Sequence, residues 1–331
     1  MSDRTLALSA WLDKALGHHT IGETLGDASF RRYFRIQANN QCYIAMDAPP
    51  EKENCESFIK VAKSFKGLQL PVPKIYDSNI QEGFVLLEDF GDDQLYKVLD
   101  DNNFKTLYTQ AMEYLYVLQT CKTFNGKKIP AFDRAFQQKE LDNFAEWFLY
   151  RHLNMKLTYT EKVTIDITLD FLLTKIAKQP QVCIHRDYHS KNLMRLQNNT
   201  IGILDFQDAM IGGITYDLVS LLRDCYIDWP VTDIYQLATQ FYHGLLSKKL
   251  LDDNVSEEQF LYWFDLTGLQ RHLKAIFIFS RKYLRDNDSG YLKYISRTLN
   301  YTRYVCKKYE ELHDFHTLLE NRIVPAWEKA S

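Results

Sequence analysis

Val182-Cys-Ile-His-Arg-Asp-Tyr-His-Ser-Lys-Asn-Leu-Met-Arg-Leu, residues 182–196, leads on to Ile201-Gly-Ile-Leu-Asp-Phe-Gln-Asp-Ala, residues 201–209. Apolar residues 182–184 read as a short strand that delivers His185, Arg186 and Asp187 to a loop. Residues 193–196 and 201–204 read as a hairpin turned at Asn198-Asn199, because asparagine tolerates positive φ. Such a hairpin brings Asn192 and Asp205, at its two ends, close together, with Asp187 just ahead of it. Asn192 and Asp205 offer oxygen ligands for Mg²⁺, a hard ion that also holds nucleotide phosphates. Asp187 is suited to accept a proton from an attacking hydroxyl and to hold it in line with a γ-phosphate. Taken singly, each residue reads more readily as a helix-capping aspartate or an ordinary hairpin position. Their combined spacing predicts phosphoryl transfer.

Upstream, residues 5–16 place Leu8, Trp11, Leu12 and Leu16 at helical spacing. Strand-like runs at 31–36 and 42–46 flank a turn-rich stretch, and Pro49-Pro50 then breaks the chain. A helix follows with Cys55, Phe58, Ile59, Ala62 and Phe65 on one face. Pro71 and Pro73 exclude a helix interior, and an apolar strand at 84–87 ends at Glu88-Asp-Phe-Gly. After Gly91 helical patterns occupy about 94–122, 137–152 and 159–178, and more run from Tyr216 onward. The chain therefore reads as α+β, with a small strand-rich N-terminal lobe (residues 1–90) and a large helical C-terminal lobe (residues 91–331).

The 331 residues are 46% hydrophobic and 25% charged, a globular balance. Forty Lys and Arg against 43 Asp and Glu leave a net charge of −3, with no global pull towards nucleic acid or an anionic membrane. Six cysteines contain no CxxC pair, so neither a zinc ribbon nor a thioredoxin-like motif is present. Asp13 and Lys14 interrupt the opening apolar run, which is unlike a signal peptide, and no stretch approaches the ~20 apolar residues of a membrane span. These features lead to the expectation of a reduced, cytoplasmic protein, a monomer with neither nucleic acid nor membrane as partner.

The His185-Arg-Asp run, with Asn192 five residues after the aspartate and a later Asp205-Phe, resembles the catalytic and metal-binding loops of protein kinases. His189, two residues after Asp187, is more similar to the aminoglycoside phosphotransferase branch of that superfamily. The resemblance implies a bilobal protein-kinase-like fold, with an antiparallel sheet covering ATP and a helical lobe carrying base, metal ligands and acceptor site. Gly26-Asp-Ala-Ser-Phe-Arg-Arg-Tyr-Phe-Arg-Ile resembles the family's phosphate-covering loop and strand, which implies nucleotide contacts from Ser29, Phe30, Arg31 and Arg32. Leu86-Leu-Glu-Asp-Phe resembles the adenine hinge and implies Glu88 and Phe90. His189 or Lys191 would touch the γ-phosphate, while His185 and Asp217 would support the catalytic loop. One departure stands out: Tyr43-Ile-Ala-Met-Asp lacks the lysine that pairs with the α/β-phosphates. Either Arg31 or Arg32 supplies that charge, or the chain is a nucleotide-binding pseudokinase that regulates a partner.

Five further stretches narrow the resemblance: Ser29-Phe-Arg-Arg-Tyr-Phe-Arg, Ala45-Met-Asp-Ala-Pro-Pro-Glu-Lys-Glu, Asp205-Phe-Gln-Asp-Ala, Ile214-Thr-Tyr-Asp-Leu-Val-Ser-Leu-Leu-Arg-Asp and Leu269-Gln-Arg-His-Leu-Lys. They resemble the bacterial cell-wall sugar kinases that phosphorylate N-acetylmuramate and N-acetylglucosamine at the anomeric hydroxyl. The resemblance implies ATP- and Mg²⁺-dependent formation of a sugar 1-phosphate in peptidoglycan sugar salvage, with acceptor contacts from Asp208, Arg223 and Asp224. Trp229 either stacks on the sugar or belongs to the core. Independently, residues 265–300 carry seven Lys or Arg against three Asp, and Arg271, Lys274, Arg281 and Arg285 share one helical stripe. A basic stripe containing Arg271 and Lys274 suits an anionic amino sugar and would repel a polycationic aminoglycoside. Kinases of choline, aminoglycosides or other sugars remain the neighbouring alternatives.

Overall fold

The computed structural model describes residues 3–25 and 30–331. In chain order they form α1 (Asp3–Leu16), β1 (Thr20–Leu25), β2 (Arg32–Ala38), β3 (Gln41–Asp47), α2 (Cys55–Gly67), β4 (Ile75–Asn79) and β5 (Phe84–Glu88). Next come α3 (Leu95–Val98), α4 (Phe104–Gln119), β6 (Thr123–Phe124), β7 (Lys127–Lys128), α5 (Arg134–Asn143) and α6 (Tyr159–Ile176). Strands β8 (Gln181–Ile184), β9 (Leu193–Arg195), β10 (Ile201–Ile203) and β11 (Met210–Gly213) follow. Helices α7 (Tyr216–Leu222), α8 (Val231–Ser247), α9 (Glu257–Asp286), α10 (Ile295–Lys308), α11 (His313–Leu318) and α12 (Val324–Ala330) complete the order. The chain divides into two units. One comprises Met1–Leu99, Cys121–Ile129 and Lys191–Ala209; the other comprises Asp100–Thr120, Pro130–Ser190 and Met210–Ser331.

The first unit is organised by an antiparallel five-stranded sheet in the order β1-β2-β3-β5-β4. Strand alternation puts Phe34, Ile36, Tyr43, Ala45, Phe84 and Leu86 into one cluster with Leu8 and Leu12 of α1. Asp47, at the end of β3, is wholly buried and ion-paired with Arg4 of α1 and Arg32 of β2, which ties the helix to the sheet. Helix α2 starts at Asn54, whose side chain accepts the Ser57 N–H, and it buries Phe58, Ile59, Ala62 and Phe65. Phe58 and Phe65 pack on Phe206 at ring separations of 5.1 and 5.9 Å. Strands β9 and β10 form the expected hairpin, with Asn199 at φ +58° in its turn. That hairpin is joined to the rest of the unit by Ile203 N–H donating to the Pro71 carbonyl.

The second unit is helical and is threaded by the 30-residue helix α9. Leu266, Leu269, Leu273, Ile276 and Phe277 of α9 share a core with Phe144, Phe148, Leu169, Leu173, Ile295 and Leu299. Helix α6 opens with a capping box between Thr158 and Glu161. All seven residues of α7 are buried, so no amphipathic stripe marks it in the sequence. Strand β8 pairs with β11, whose Gly212 lies so close to Ile184 that a Cβ there would meet its Cδ1 at 2.4 Å.

Three differences from the sequence reading have local causes. The helical pattern at 94–122 is broken into α3 and α4, because Asp100 turns the chain by accepting the N–H groups of Asn102 and Asn103. Strand β1 is largely exposed and lacks an apolar rhythm, so it escaped notice. Strand β11 was hidden by its two glycines. The cysteines are all free thiols. Cys42 is exposed, Cys225 half-buried and the other four buried. Among the described residues no helix is long and apolar enough to cross a membrane.

Gly202, in β10, carries the ring of Phe90: a Cβ at this position would come within 2.5 Å of two ring carbons. Gly202→Ala should therefore destabilise the protein by about 1–3 kcal/mol through overpacking, read as a lower urea midpoint at unchanged m-value.

Candidate active site

The loop after β8 hangs from one carboxylate. Asp217, in the first turn of α7 and 1% exposed, accepts the His185 N–H at 2.6 Å and the Arg186 N–H at 3.0 Å. Burial pushes its ionisation up, against the pull of His185, these two N–H groups and Arg271. Arg186 is held at φ +78°, a left-handed conformation costly for a bulky residue. The buried His185 ring accepts the Asp187 N–H at 3.3 Å, and Tyr188 anchors the loop by donating its hydroxyl to the Ala111 carbonyl. Further along, Asp224 Oδ2 accepts from both the amide and the hydroxyl of Ser190, while Oδ1 accepts the Tyr226 N–H. Two buried carboxylates thus grip the loop, one at each end.

Cations surround Asp187. Arg186 Nη2 pairs with Glu140 of α5 at 2.8 Å, and its guanidinium lies 5.2 Å from the rings of Phe132 and Phe136. Lys274 Nζ lies 3.5 Å from the same Glu140 oxygen. Arg271 donates to the Arg186 carbonyl at 2.7 Å and covers the Tyr216 ring. Burial pushes the Asp187 carboxyl up, but Lys274, His189, Arg271 and Arg186 outweigh it and hold the group well below the ordinary carboxylate range. Tyr226 packs edge-on against His189 at 5.2 Å and against Tyr294 at 4.9 Å.

In the first unit, the β9–β10 hairpin does bring Asn192 and Asp205 together: Asn192 Nδ2 donates to Asp205 Oδ2 at 3.3 Å. Gln207 Nε2 bridges Asp205 Oδ1 and Asp208 Oδ2 at 2.8 and 3.2 Å. Asp205 is exposed and sits at φ +59°. Each of its oxygens retains a lone pair beyond these bonds, and the Asn192 carbonyl oxygen adds a third acceptor. The described residues contain no group of three His, Cys, Asp or Glu able to hold a metal. The oxygen donors here fit a hard cation that fills its shell with phosphate and water oxygens, as Mg²⁺ does, and not one that needs a full protein cage.

The remaining expected positions are distributed as follows. Ser29 lies outside the described residues. Phe30 is 59% exposed, with Lys52 Nζ 4.6 Å from its ring. Arg31 pairs with Glu53 at 2.7 Å, whereas Arg32 is bound to Asp47. Glu88 exchanges main-chain and side-chain bonds with Lys74, accepting its N–H and donating to its carbonyl. Phe90 lies on Gly202. Arg223 is buried, with Nη2 on Asp265 and Tyr235; it also lines a cavity of about 350 Å³ with Trp229, Arg297, Tyr301 and Tyr304. Asp224, expected to bond the acceptor, accepts from the loop with both oxygens. Trp229 is a core residue, stacked on Phe104 at 4.1 Å and donating to the Tyr108 hydroxyl. Arg285, on the anticipated basic stripe, is exposed and paired with its neighbour Asp286.

Glu140, Ser190, Gln207, Tyr226 and Glu53 were not singled out from the sequence. Ser190 and Gln207 lie inside the stretch 182–209 and Glu53 closes the stretch 45–53, whereas nothing local marks Glu140.

Lys274→Met should raise the Asp187 ionisation towards the ordinary carboxylate value, followed by the ¹³C shift of its carboxyl. An unmoved titration would mean that Lys274 is not the cation that holds Asp187 ionised. The sign also applies to stability. A carboxyl depressed by folding stabilises the native state above its unfolded value of about 3.9, and that contribution is lost as pH falls through the folded value.

Known proteins resemble this chain in sequence and in fold. A family profile described as "Phosphotransferase enzyme family" matches residues 20–248. The chain is 35% identical to an N-acetylmuramate/N-acetylglucosamine kinase of Pseudomonas aeruginosa, over 96% of this chain and 97% of that protein. It is also 35% identical to a protein of the same name from Neisseria meningitidis serogroup B, over 96% and 95%. The fold is similar to that of a choline kinase from Streptococcus pneumoniae, with a TM-score of 0.63 and 13% identity over 92% of this chain and all of the other.

Proposed function

Because the chain belongs to the phosphotransferase enzyme family, we propose that it transfers the γ-phosphoryl group of ATP to the anomeric hydroxyl of N-acetylmuramate or N-acetylglucosamine. The observation that carries this reading is Asp187: a carboxylate kept ionised by surrounding cations, on a loop gripped by Asp217 and Asp224. The sugar is taken from the relatives, whose likeness extends over nearly the whole chain.

In this reading Asp187 accepts a hydrogen bond from the anomeric hydroxyl and aims its oxygen at the γ-phosphorus. The new O–P bond forms as the bond to the β-phosphate oxygen breaks, ADP departs, and the hydroxyl proton passes to Asp187. A carboxylate with so low a proton affinity is a weak base, which suits an anomeric hydroxyl because it is more acidic than an ordinary alcohol. Asn192 and Asp205 would hold Mg²⁺, which when bound neutralises phosphate charge. Backbone groups of the segment from Glu88 to Phe90 would take the adenine, and His189 would face the γ-phosphate. Lys274 carries the positive charge suited to an anionic acceptor, while Arg271 steadies the loop through the Arg186 carbonyl. Asp208 stands beside the metal ligands, linked to Asp205 through Gln207. A cytoplasmic monomer serving amino-sugar salvage completes the proposal.

The test is ADP release with ATP and Mg²⁺, offering N-acetylmuramate, N-acetylglucosamine, kanamycin and choline separately. Turnover confined to the amino sugars, giving an acid-labile phosphate, is expected. Turnover of kanamycin or choline alone would replace the acceptor, and nucleotide binding without any transfer would replace the kinase reading by a regulatory one. Asp187→Asn should lower kcat by about 10²–10⁴-fold while leaving nucleotide affinity near that of the parent protein.

A further inference from the structure

The phosphates of a nucleotide need cationic donors as well as a metal ion. In the unit that contains Asn192 and Asp205, β3 supplies none: Ala45 and Met46 are wholly buried, and Asp47 has the opposite charge. The arginines nearest to hand by sequence are also engaged. Arg4 and Arg32 flank Asp47, whose burial makes that pairing structural, and Arg35 is bonded to Asp89 and Asp92. These commitments leave Arg32 fixed at the end of the β2–β3 ladder, where it neutralises a buried carboxylate.

Arg31 is paired as well, but with an acid that lies outside the sheet. Its Nη2 lies 2.7 Å from Glu53 Oε2, and the two side chains are only 15% and 17% exposed. Glu53 immediately precedes Asn54, the residue that caps α2, so the pair joins the start of β2 to the start of a helix. Tyr33 gives an independent view of the neighbourhood. Its hydroxyl is pushed up first by burial, then by Asp205, and is also affected by Arg31, Glu53 and Asp208. Arg31 and Glu53 therefore share one field with the proposed metal ligand. A guanidinium has five N–H groups in a planar fork, enough to hold a carboxylate with one edge and meet a phosphate oxygen with another.

We propose that Arg31 binds the nucleotide phosphates and that Glu53 is the positioning residue that aims it, the pair replacing the lysine absent from β3. This deepens the kinase reading and rests on it. It also separates the two arginines that the sequence leaves equivalent.

The experiment compares Arg31→Met, Arg31→Lys, Glu53→Gln and the double variant Arg31→Met/Glu53→Gln by steady-state kinetics and by calorimetric titration with ADP and Mg²⁺. Lys60→Met, which breaks an exposed pair with Glu56 on α2, serves as the control. Arg31→Met should raise the KM for ATP at least tenfold and weaken ADP binding, with the KM for the sugar within twofold of the parent. Glu53→Gln should reproduce part of that effect, and the double variant should be no worse than Arg31→Met alone, because Glu53 acts only through the arginine. Arg31→Lys should recover part of the loss in ADP affinity, because an ammonium meets phosphate oxygens as a point charge. Unchanged ATP KM and ADP affinity in folded Arg31→Met would overturn the proposal, as would fully additive effects of the two substitutions. If the parent protein turned over no sugar, the kinase reading would fall on that result alone. The calorimetry would still decide whether this pair holds phosphates.

Discussion

The Asp217 carboxylate holds the most consequential position in the molecule. It is buried, it is attached to the first turn of a helix, and it accepts two successive main-chain N–H groups. Burying a carboxylate is costly unless such donors are present, so helix and loop are mutually required. The two bonds hold the chain at Arg186 in a left-handed conformation that its side chain would otherwise disfavour. The direction taken by Asp187 follows from that kink. Helix α7 is covered on every side, which gives its N-terminal carboxylate little freedom to drift.

The other end of α7 is fixed by charge. Asp265, fully buried in α9, receives Arg223 Nη2, the Tyr235 and Tyr309 hydroxyls and Lys308 Nζ. Burial pushes the Asp265 carboxyl up, yet Arg223 and these donors outweigh it and keep the group ionised. His272 lies against the Arg223 carbonyl and is pushed down to about 3, chiefly by burial and then by the Arg223 charge. It is therefore neutral at physiological pH and free to donate one ring N–H there. Arg223 is thus held at side chain and backbone, and the next residue, Asp224, is delivered to Ser190. The result is a loop whose two anchors sit at opposite ends of one short, immovable helix.

Much of this was legible in the residue order. The stretch from Asn192 to Asp205 carried the hairpin, because a two-stranded turn leaves few ways to arrange its ends. Amphipathic rhythm gave α1 and α2 for the same reason that it gives most half-buried helices. What escaped notice had no periodic trace. Strand β1 is largely exposed, β11 is disguised by glycines needed for close packing on Ile184, and Glu140 is an acid on a polar helix. Arg223 and Trp229 illustrate a different limit. Their packing could not be read from the residue order, because a guanidinium on Asp265 and an indole on Phe104 are placed by partners distant in the chain.

The distribution of thiols has a practical consequence. Burial shields four cysteines and half-covers a fifth, and it pushes the Cys55 and Cys225 thiols up to about 11, where little thiolate exists at neutral pH. Cys42 alone is exposed, near the turn that joins β2 to β3. A maleimide dye offered at neutral pH will thus seek out one address without any engineered cysteine. The natural protein comes ready for single-site fluorescence, with the reporter on the very sheet whose missing lysine raises the question.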